Sequence, residues 1–221
     1  MRPLDELQTS EPAWPHVLDL VQRSRSARAL PQDPAAGQRA LWSLQVTDRS
    51  PMGSIALHCG GISVDHGWLR VFGGGDPGLA TWNHTPGASA AIAGAIEGAL
   101  VIGADVLGGF FLVDGGRFAR PGVVHYLAPE TLEIDDLGAG YGEWLEWALR
   151  GGTDEFYEHL RWKEWSEEVA LLDWAQGLHV YPPLWSVEGR DVGVASRRPV
   201  PLVELWGLIW EQQRALGREH S

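Results

Sequence analysis

Short apolar runs separated by glycine pairs fill the middle of this chain and limit what it can fold into. The stretch "VIGADVLGGFFLVDGGRF", residues 101–118, holds five glycines among β-branched and aromatic residues. Strands joined by such short turns pair antiparallel, because parallel pairing needs a long crossover between strands. We therefore predict an α+β fold with a mostly antiparallel sheet from about Ser54 to Ile134. Its strands are expected near Ser54–His58 and Trp68–Phe72 and in the runs "GALVIGAD", "GGFFLVD", "PGVVHYLAPE" and "TLEIDDLG".

The glycines raise the alternative of a phosphate cradle, which the neighbouring residues disfavour. A P-loop needs Lys and then Ser or Thr after its last glycine, and "GADVLGGFF" has neither. "GGGDPG" at residues 73–78 matches a dinucleotide fingerprint in spacing, but Pro77 and an expected loop take the place of the required helix. We predict instead that Gly108, Gly109, Gly115 and Gly116 lie at strand edges or turns, several with positive φ.

Helical periodicity appears on both sides of the predicted sheet. Two N-terminal helices are expected, the second capped by Asp33 before Pro34. The stretch that begins at Ala90 allows a short helix, and "YGEWLEWALRGG" predicts a longer one ended by its glycine pair. One or two further helices, a strand in "LHVYPPLW" and a final helix after Pro201 are expected beyond it. We predict a single domain over residues 1–221, with a C-terminal helical extension from about residue 152.

The charge balance bears on the choice of partner. The net charge is −12 and the pI is about 5.0, which disfavours nucleic acid and anionic membranes as partners because both need clustered Lys and Arg. We predict a cytoplasmic protein, and a basic protein is the kind of partner that this charge favours. Cys59 is the single cysteine, and the eight histidines are scattered without metal-ligand spacing, so no disulfide, metal or cofactor is predicted. No apolar run is long and uninterrupted enough to span a bilayer.

"VDHGWLRV" is the string that most resembles a catalytic site. Asp65 and His66 offer an acid and a base, and Arg70 offers a group for an anion. In an extended segment, however, adjacent side chains point to opposite faces, and no nucleophile accompanies them. We expect structural roles for the three residues and keep a small-ligand site or an enzyme active site as the alternative.

A second candidate lies between Gly142 and Trp174, where large aromatic residues alternate with acids. We expect at least one of Tyr157, Trp162 and Trp165 to stand substantially exposed. The neighbouring acids are Glu164, Glu167 and Glu168, so such a ring would belong to a surface that attracts a basic partner. The alternative is a second hydrophobic layer under the final helix, against Trp206 and Trp210.

Several strings resemble an uncharacterised bacterial family, the domain of unknown function numbered 2625. They include "LQVTDRSPMGSIALHCGGISVDHGWLRVFGGG", "DVLGGFFLVDGG", "VHYLAPETLEIDDLGAGYGEWLEWALRG" and "SRRPVPLVELWGL", and they cover nearly the whole chain. The family has no established activity, so it transfers no functional residues.

A wider resemblance is to the SUKH superfamily, the Smi/Knr-like fold. "IGADVLGGFFLVD", "GVVHYLAPE" and "LGAGYGEWLEWAL" occur in the order of that pattern. The resemblance implies an α+β binding module, and many bacterial members act as immunity proteins that neutralise toxins. It therefore favours protein binding over catalysis.

Overall fold

A seven-stranded antiparallel sheet runs through the middle of the protein. The structure is a computed structural model that describes residues 1–83 and 96–217. The strands follow one another across the sheet in chain order, so the sheet is a meander. They are β1 (Arg28–Ala29), β2 (Gly61–Val64), β3 (Leu69–Phe72), β4 (Ala99–Asp105), β5 (Phe110–Asp114), β6 (Val123–Leu127) and β7 (Ile134–Gly140). The α+β prediction is confirmed.

Helices lie at both ends of the chain. Within the described residues they are α1 (Leu4–Leu7), α2 (Trp14–Arg23), α3 (Pro34–Leu44), α4 (Pro51–His58), α5 (Leu79–Trp82), α6 (Tyr141–Leu149), α7 (Thr153–Phe156), α8 (Trp165–Val169) and α9 (Leu202–Ala215). Asp33 caps α3 as predicted, since its side chain accepts the amides of Ala35 and Ala36. The short helix suggested at the start of the Ala90 stretch lies outside the described residues. None of the described helices has the length and apolar character to cross a membrane.

The predicted strand at Ser54–His58 is wrong, because these residues form the end of α4. The Ser50 side chain caps that helix by accepting the amide of Gly53, and Pro51 occupies its first turn. Residues 53–57 are all buried, so the run carries no alternation of apolar and polar residues. A short, wholly buried run looks alike in a helix and in a strand, and here the cap decides.

The C-terminal part adds a small second sheet to the predicted helices. It consists of β8 (Gln176–Tyr181) and β9 (Ser196–Pro201), and the amide of Leu178 in β8 donates to the carbonyl of Val106 at 2.6 Å. Sequence reasoning missed β9 because Pro199 and Pro201 break strand patterns. The two prolines are tolerated because β9 has a neighbour on one side only in this sheet.

Helices cover both faces of the main sheet. Phe110 and Phe111 are adjacent in β5 and therefore point to opposite faces. The ring of Phe110 lies 4.8 Å from that of Trp206 in α9, and the ring of Phe111 lies 5.1 Å from that of Trp144 in α6. All four rings are buried. The core is thus a central sheet with one aromatic layer on each side.

The glycine pairs lie at turns, as predicted. Gly108 and Gly116 have φ values of 89° and 120°, which favour glycine. Gly109 is required for another reason, because a Cβ there would lie 2.1 Å from an oxygen of Asp105. After the "GGGDPG" stretch the expected loop contains the short helix α5, which has only four residues.

Candidate functional site

Asp65 lies in a tight turn, not in the extended conformation that the sequence suggested. Residues Asp65–Gly67 form a 3-10 turn between β2 and β3, and Asp65 and His66 have φ values of 48° and 57°. Both are left-handed values that non-glycine residues rarely adopt. The Asp65 carboxylate is buried, and it accepts hydrogen bonds from Ser26 Oγ at 2.6 Å and Thr153 Oγ1 at 2.5 Å.

Arg161 provides the charged partner of Asp65. One terminal nitrogen donates to Asp65 at 2.6 Å, and the other donates to Asp154 at 2.9 Å. The guanidinium lies 4.3 Å from the ring centre of Trp165 and 5.4 Å from that of Trp68. Its side chain is 11% exposed, so the charge is held between two carboxylates and two indole rings. We call Asp65, Trp68, Asp154, Arg161 and Trp165 the Arg161 cluster.

Further aromatic rings surround the Arg161 cluster. Trp68 lies 5.5 Å from Tyr157 and 5.7 Å from Trp162, measured between ring centres. Trp162 donates its indole N–H to Glu168 at 2.9 Å, and the guanidinium of Arg197 lies 4.3 Å from its ring centre. Glu168 also pairs with Arg197 at 3.3 Å. The arrangement is a layer of rings and arginines in which carboxylates accept hydrogen bonds from Arg161, Trp162 and Arg197.

The rings of the predicted partner surface are largely interior. Tyr157 is fully buried and Trp162 is 7% exposed, so of the three rings Trp165 alone keeps part of its surface in solvent. Trp165 is partly buried, and His66 packs edge-on against it at 5.9 Å. The helical periodicity of the sequence did not predict this burial, because the rings lie in short turns and not on one long helix. The three rings pack against Trp68.

The acids expected beside these rings have different environments. Glu164 and Glu167 are exposed, whereas Glu168 is engaged by Trp162 and Arg197 as described above. Glu164 pairs with Lys163 at 3.4 Å, and both side chains are largely in solvent. Of the three acids, Glu167 alone is an exposed carboxylate without an ion pair in the described part of the chain.

Arg70 has its hydrogen-bond partner away from the Asp65 turn. It lies in β3, is 2% exposed, and donates to the main-chain carbonyl of Gln176 in β8. Burial lowers the pKa of Arg70 to about 10, against the opposing effect of the Asp105 charge. Asp65 and His66 therefore lie in one turn, and Arg161 binds Asp65 from outside that turn. Arg70 instead joins the main sheet to the C-terminal part.

Asp105, which sequence reasoning did not single out, is the least exposed carboxylate among the described residues. It is fully buried and accepts four hydrogen bonds: from the amides of Leu107 and Gly109, at 2.8 and 2.9 Å, and from the hydroxyls of Tyr126 and Tyr157, at 2.7 and 3.3 Å. Burial raises the pKa of Asp105, and these hydrogen bonds oppose the rise. The sequence feature that could have identified Asp105 is its position between a strand and a Gly-Gly turn.

Other reactive groups have structural surroundings. The Cys59 thiol is buried and donates to the carbonyl of Gly61 at 2.9 Å, and burial raises its pKa. A thiol with a raised pKa is a poor nucleophile. Within residues 1–83 and 96–217 no three His, Cys, Asp or Glu side chains are grouped so that they could hold a metal ion.

The protein belongs to the family described as "Protein of unknown function DUF2625", whose model matches residues 4–205. It is 36% identical to the uncharacterised protein YbfG of Escherichia coli (strain K12), over 96% of this chain and 98% of that protein. It is 32% identical to an uncharacterised protein of Haemophilus influenzae (strain ATCC 51907 / DSM 11121 / KW20 / Rd), over 90% of this chain and 88% of that protein. No solved structure matches the chain.

Proposed function

We propose that the protein is a non-enzymatic binding module whose partner is a basic protein. The observation that carries this proposal is Leu171, which is 85% exposed next to the end of α8. Around it in sequence, Glu167 and Asp173 are exposed carboxylates without ion pairs in the described part of the chain. An exposed apolar side chain flanked by unpaired acids suits a partner with an apolar contact and a basic rim. We call residues 167–173 the Leu171 surface.

The charge of the neighbouring turns supports the same partner chemistry. Glu155 and Glu158 are also exposed and form no ion pair within residues 1–83 and 96–217, and the whole chain carries a net charge of −12. Such a field speeds the encounter with a cationic protein and repels anionic ones. The Leu171 surface replaces the Tyr157 and Trp162 rings as the contact that we propose.

Binding is favoured over catalysis by the way the candidate catalytic groups are used. Asp65 accepts hydrogen bonds from Ser26, Thr153 and Arg161, and Arg70 donates to a main-chain carbonyl. Both residues are also buried, so neither group is open to a substrate from solvent. A small-ligand or enzyme site formed by Asp65, His66 and Arg70 together is therefore the weaker alternative.

The SUKH-type strings lead us to propose neutralisation of a basic toxin as the form that this binding takes. An inhibitor of this kind would act in the cytoplasm, where we place the protein as part of the same proposal. Charge complementarity with a basic enzyme favours fast association, which an inhibitor needs.

The test compares capture of basic proteins by the wild type and by matched variants. Leu171→Ala and Glu167→Gln alter the Leu171 surface, and Val187→Ala removes another side chain that is 77% exposed. We expect one basic protein that binds the wild type and Val187→Ala equally. After purification, it should bind Leu171→Ala at least about tenfold more weakly and should bind less tightly as salt is added. If every captured protein binds the wild type and Leu171→Ala alike, the proposal is wrong.

A further inference from the structure

A cavity of about 460 Å³, to which no role has yet been assigned, lies beside the Arg161 cluster. His159, Arg161, Trp162 and Lys163 line one side, and the loop of residues 190–193 lines the other. Cavities of this volume lie within the range that holds small molecules. The short segment after α7 and the loop between β8 and β9 thus form two walls around one space.

The lining is basic although the chain as a whole is acidic. Arg161, Lys163 and Arg190 carry positive charges, and Asp191 is the one acid among the described residues that line the cavity. Lys163 is the only lysine of the 221 residues. In a chain with 29 acids and 17 Lys and Arg residues, this concentration of bases runs against the average composition.

Two of these cations are available to a ligand. Arg190 is exposed and has no ion pair in the described part of the chain. Lys163 pairs with Glu164 at 3.4 Å, but the two side chains are 90% and 60% exposed. Ion pairs this exposed to water contribute little free energy, so an anion can compete with Glu164 for the ammonium group.

The other charges on the lining have partners that fix their positions. Arg161 is held by Asp65 and Asp154, and His159 lies 3.5 Å from Glu130. The carboxylate of Asp191 accepts the amide of Gly193 at 3.0 Å. These groups shape the walls, while Lys163 and Arg190 carry the charge that a ligand would meet.

The walls are fixed before any ligand arrives. Arg197 donates to the carbonyls of Val192 and Ala195, and it packs against Trp162 at 4.3 Å. Glu168 binds Arg197 and Trp162 together. The loop is thereby tied to the opposite wall, and a pre-organised site loses less entropy on binding.

We propose that this cavity binds a phosphate group, free or carried by a small organic molecule. Lys and Arg recognise phosphate through charge-assisted hydrogen bonds, and the cavity has room for an ester group besides the phosphate. Nucleic acid is a poor fit, because two exposed cations on an acidic protein cannot follow a polyanion. The cavity lining shares no residue with the Leu171 surface, and Glu168 is the member of that surface that holds the walls in place.

Titration calorimetry with inorganic phosphate and with phenyl phosphate tests the proposal. We expect saturable binding of at least one probe, and a loss of at least about tenfold in affinity in Lys163→Gln/Arg190→Gln. Arg23→Gln is the matched control, because Arg23 is a 78% exposed arginine of α2 outside the lining. Tighter binding of phenyl phosphate would identify an organic ester as the ligand type, and equal binding would identify phosphate itself.

The single lysine allows a second measurement on the unaltered protein. An amine-selective acylating reagent has Lys163 and the terminal amine of Met1 as its main targets, and mass spectrometry separates the two products. We expect bound phosphate probe to slow acylation of Lys163 several-fold while that of Met1 stays constant. The proposal fails if neither probe binds saturably, if Lys163→Gln/Arg190→Gln binds like wild type, or if Lys163 is not protected.

Discussion

Asp105 shows how much a single buried residue organises in this protein. Its carboxylate accepts the amides of the β4–β5 turn and the hydroxyls of Tyr126 and Tyr157. Tyr126 belongs to β6, and Tyr157 follows α7. One side chain therefore connects a turn, a neighbouring strand and the start of the C-terminal extension.

We predict that Asp105→Ala lowers the free energy of unfolding by at least about 3 kcal/mol, because four buried donors lose their acceptor. Asp135→Ala is the control, since Asp135 is an exposed acid in β7. It should change the free energy by less than about 0.5 kcal/mol. Urea unfolding followed by tryptophan fluorescence measures both, and similar losses in the two variants would contradict the assigned role of Asp105.

Glu130 provides a prediction on pH. Burial raises the pKa of Glu130, the negative charge of Asp105 adds to the rise, and His159 opposes it. The folded chain thus holds this proton to higher pH than the unfolded chain, and stability from Glu130 is lost as the pH rises through its folded pKa. Glutamine does not ionise.

Glu130→Gln should therefore gain stability relative to the wild type as the pH rises from about 4 to about 7. The measurement is the difference in the free energy of unfolding between the two proteins across this range. The change with pH is the readout, because it is insensitive to a constant packing difference. A flat difference, or one that moves against Glu130→Gln, would contradict the raised pKa.

At the scale of elements, the helix α9 contains a residue that weakens it. Gly207 lies in its interior, and a Cβ there would meet no atom within 4 Å. Gly207→Ala should raise the free energy of unfolding by about 0.5–1 kcal/mol, because alanine has the higher helix propensity. The melting temperature should rise accordingly.

Gly109→Ala is the contrasting substitution. Its Cβ would lie 2.1 Å from Asp105 Oδ2 and 2.2 Å from the hydroxyl of Tyr126, so it should lower the melting temperature. If both glycine variants shift the melting temperature in the same direction, local space does not govern these positions.

Elements with a local signal could be predicted from the sequence, and those that depend on distant partners could not. The turns at Gly108 and Gly116 and the cap at Asp33 follow from backbone chemistry within a few residues. Residues 54–58 were assigned to a strand because a buried run shows no periodicity. The strand β9 was missed because its prolines are acceptable only where β8 supplies the single neighbour.

The candidate site could not be predicted for the same reason, because its residues lie far apart in the sequence. Asp65 meets Thr153 and Arg161, which lie 88 and 96 residues later in the chain. Sequence reasoning singled out Asp65 and the aromatic residues around Trp162 separately. It did not show that they belong together, nor that their meeting would bury Tyr157 and Trp162.

At the scale of the whole molecule, the C-terminal extension is tied to the main sheet by several contacts. Arg70 binds Gln176, Val106 binds Leu178, and Asp65 binds Arg161. We predict that residues 1–221 unfold as a single cooperative unit, as expected for one domain. Far-ultraviolet circular dichroism and tryptophan fluorescence should report coincident urea transitions, and two separated transitions would contradict this prediction.

The central claim is that Asp65, the most catalytic-looking carboxylate of the sequence, is a structural anchor for the C-terminal extension. A double-mutant cycle with Asp65→Asn and Arg161→Gln in urea unfolding tests it most directly. The exposed pair Arg120 and Asp136, 55% and 32% exposed, is the matched reference. We predict a coupling energy of at least about 1.5 kcal/mol for Asp65 and Arg161, and a clearly smaller one for the reference pair. A coupling energy no larger than that of the reference pair would contradict the claim.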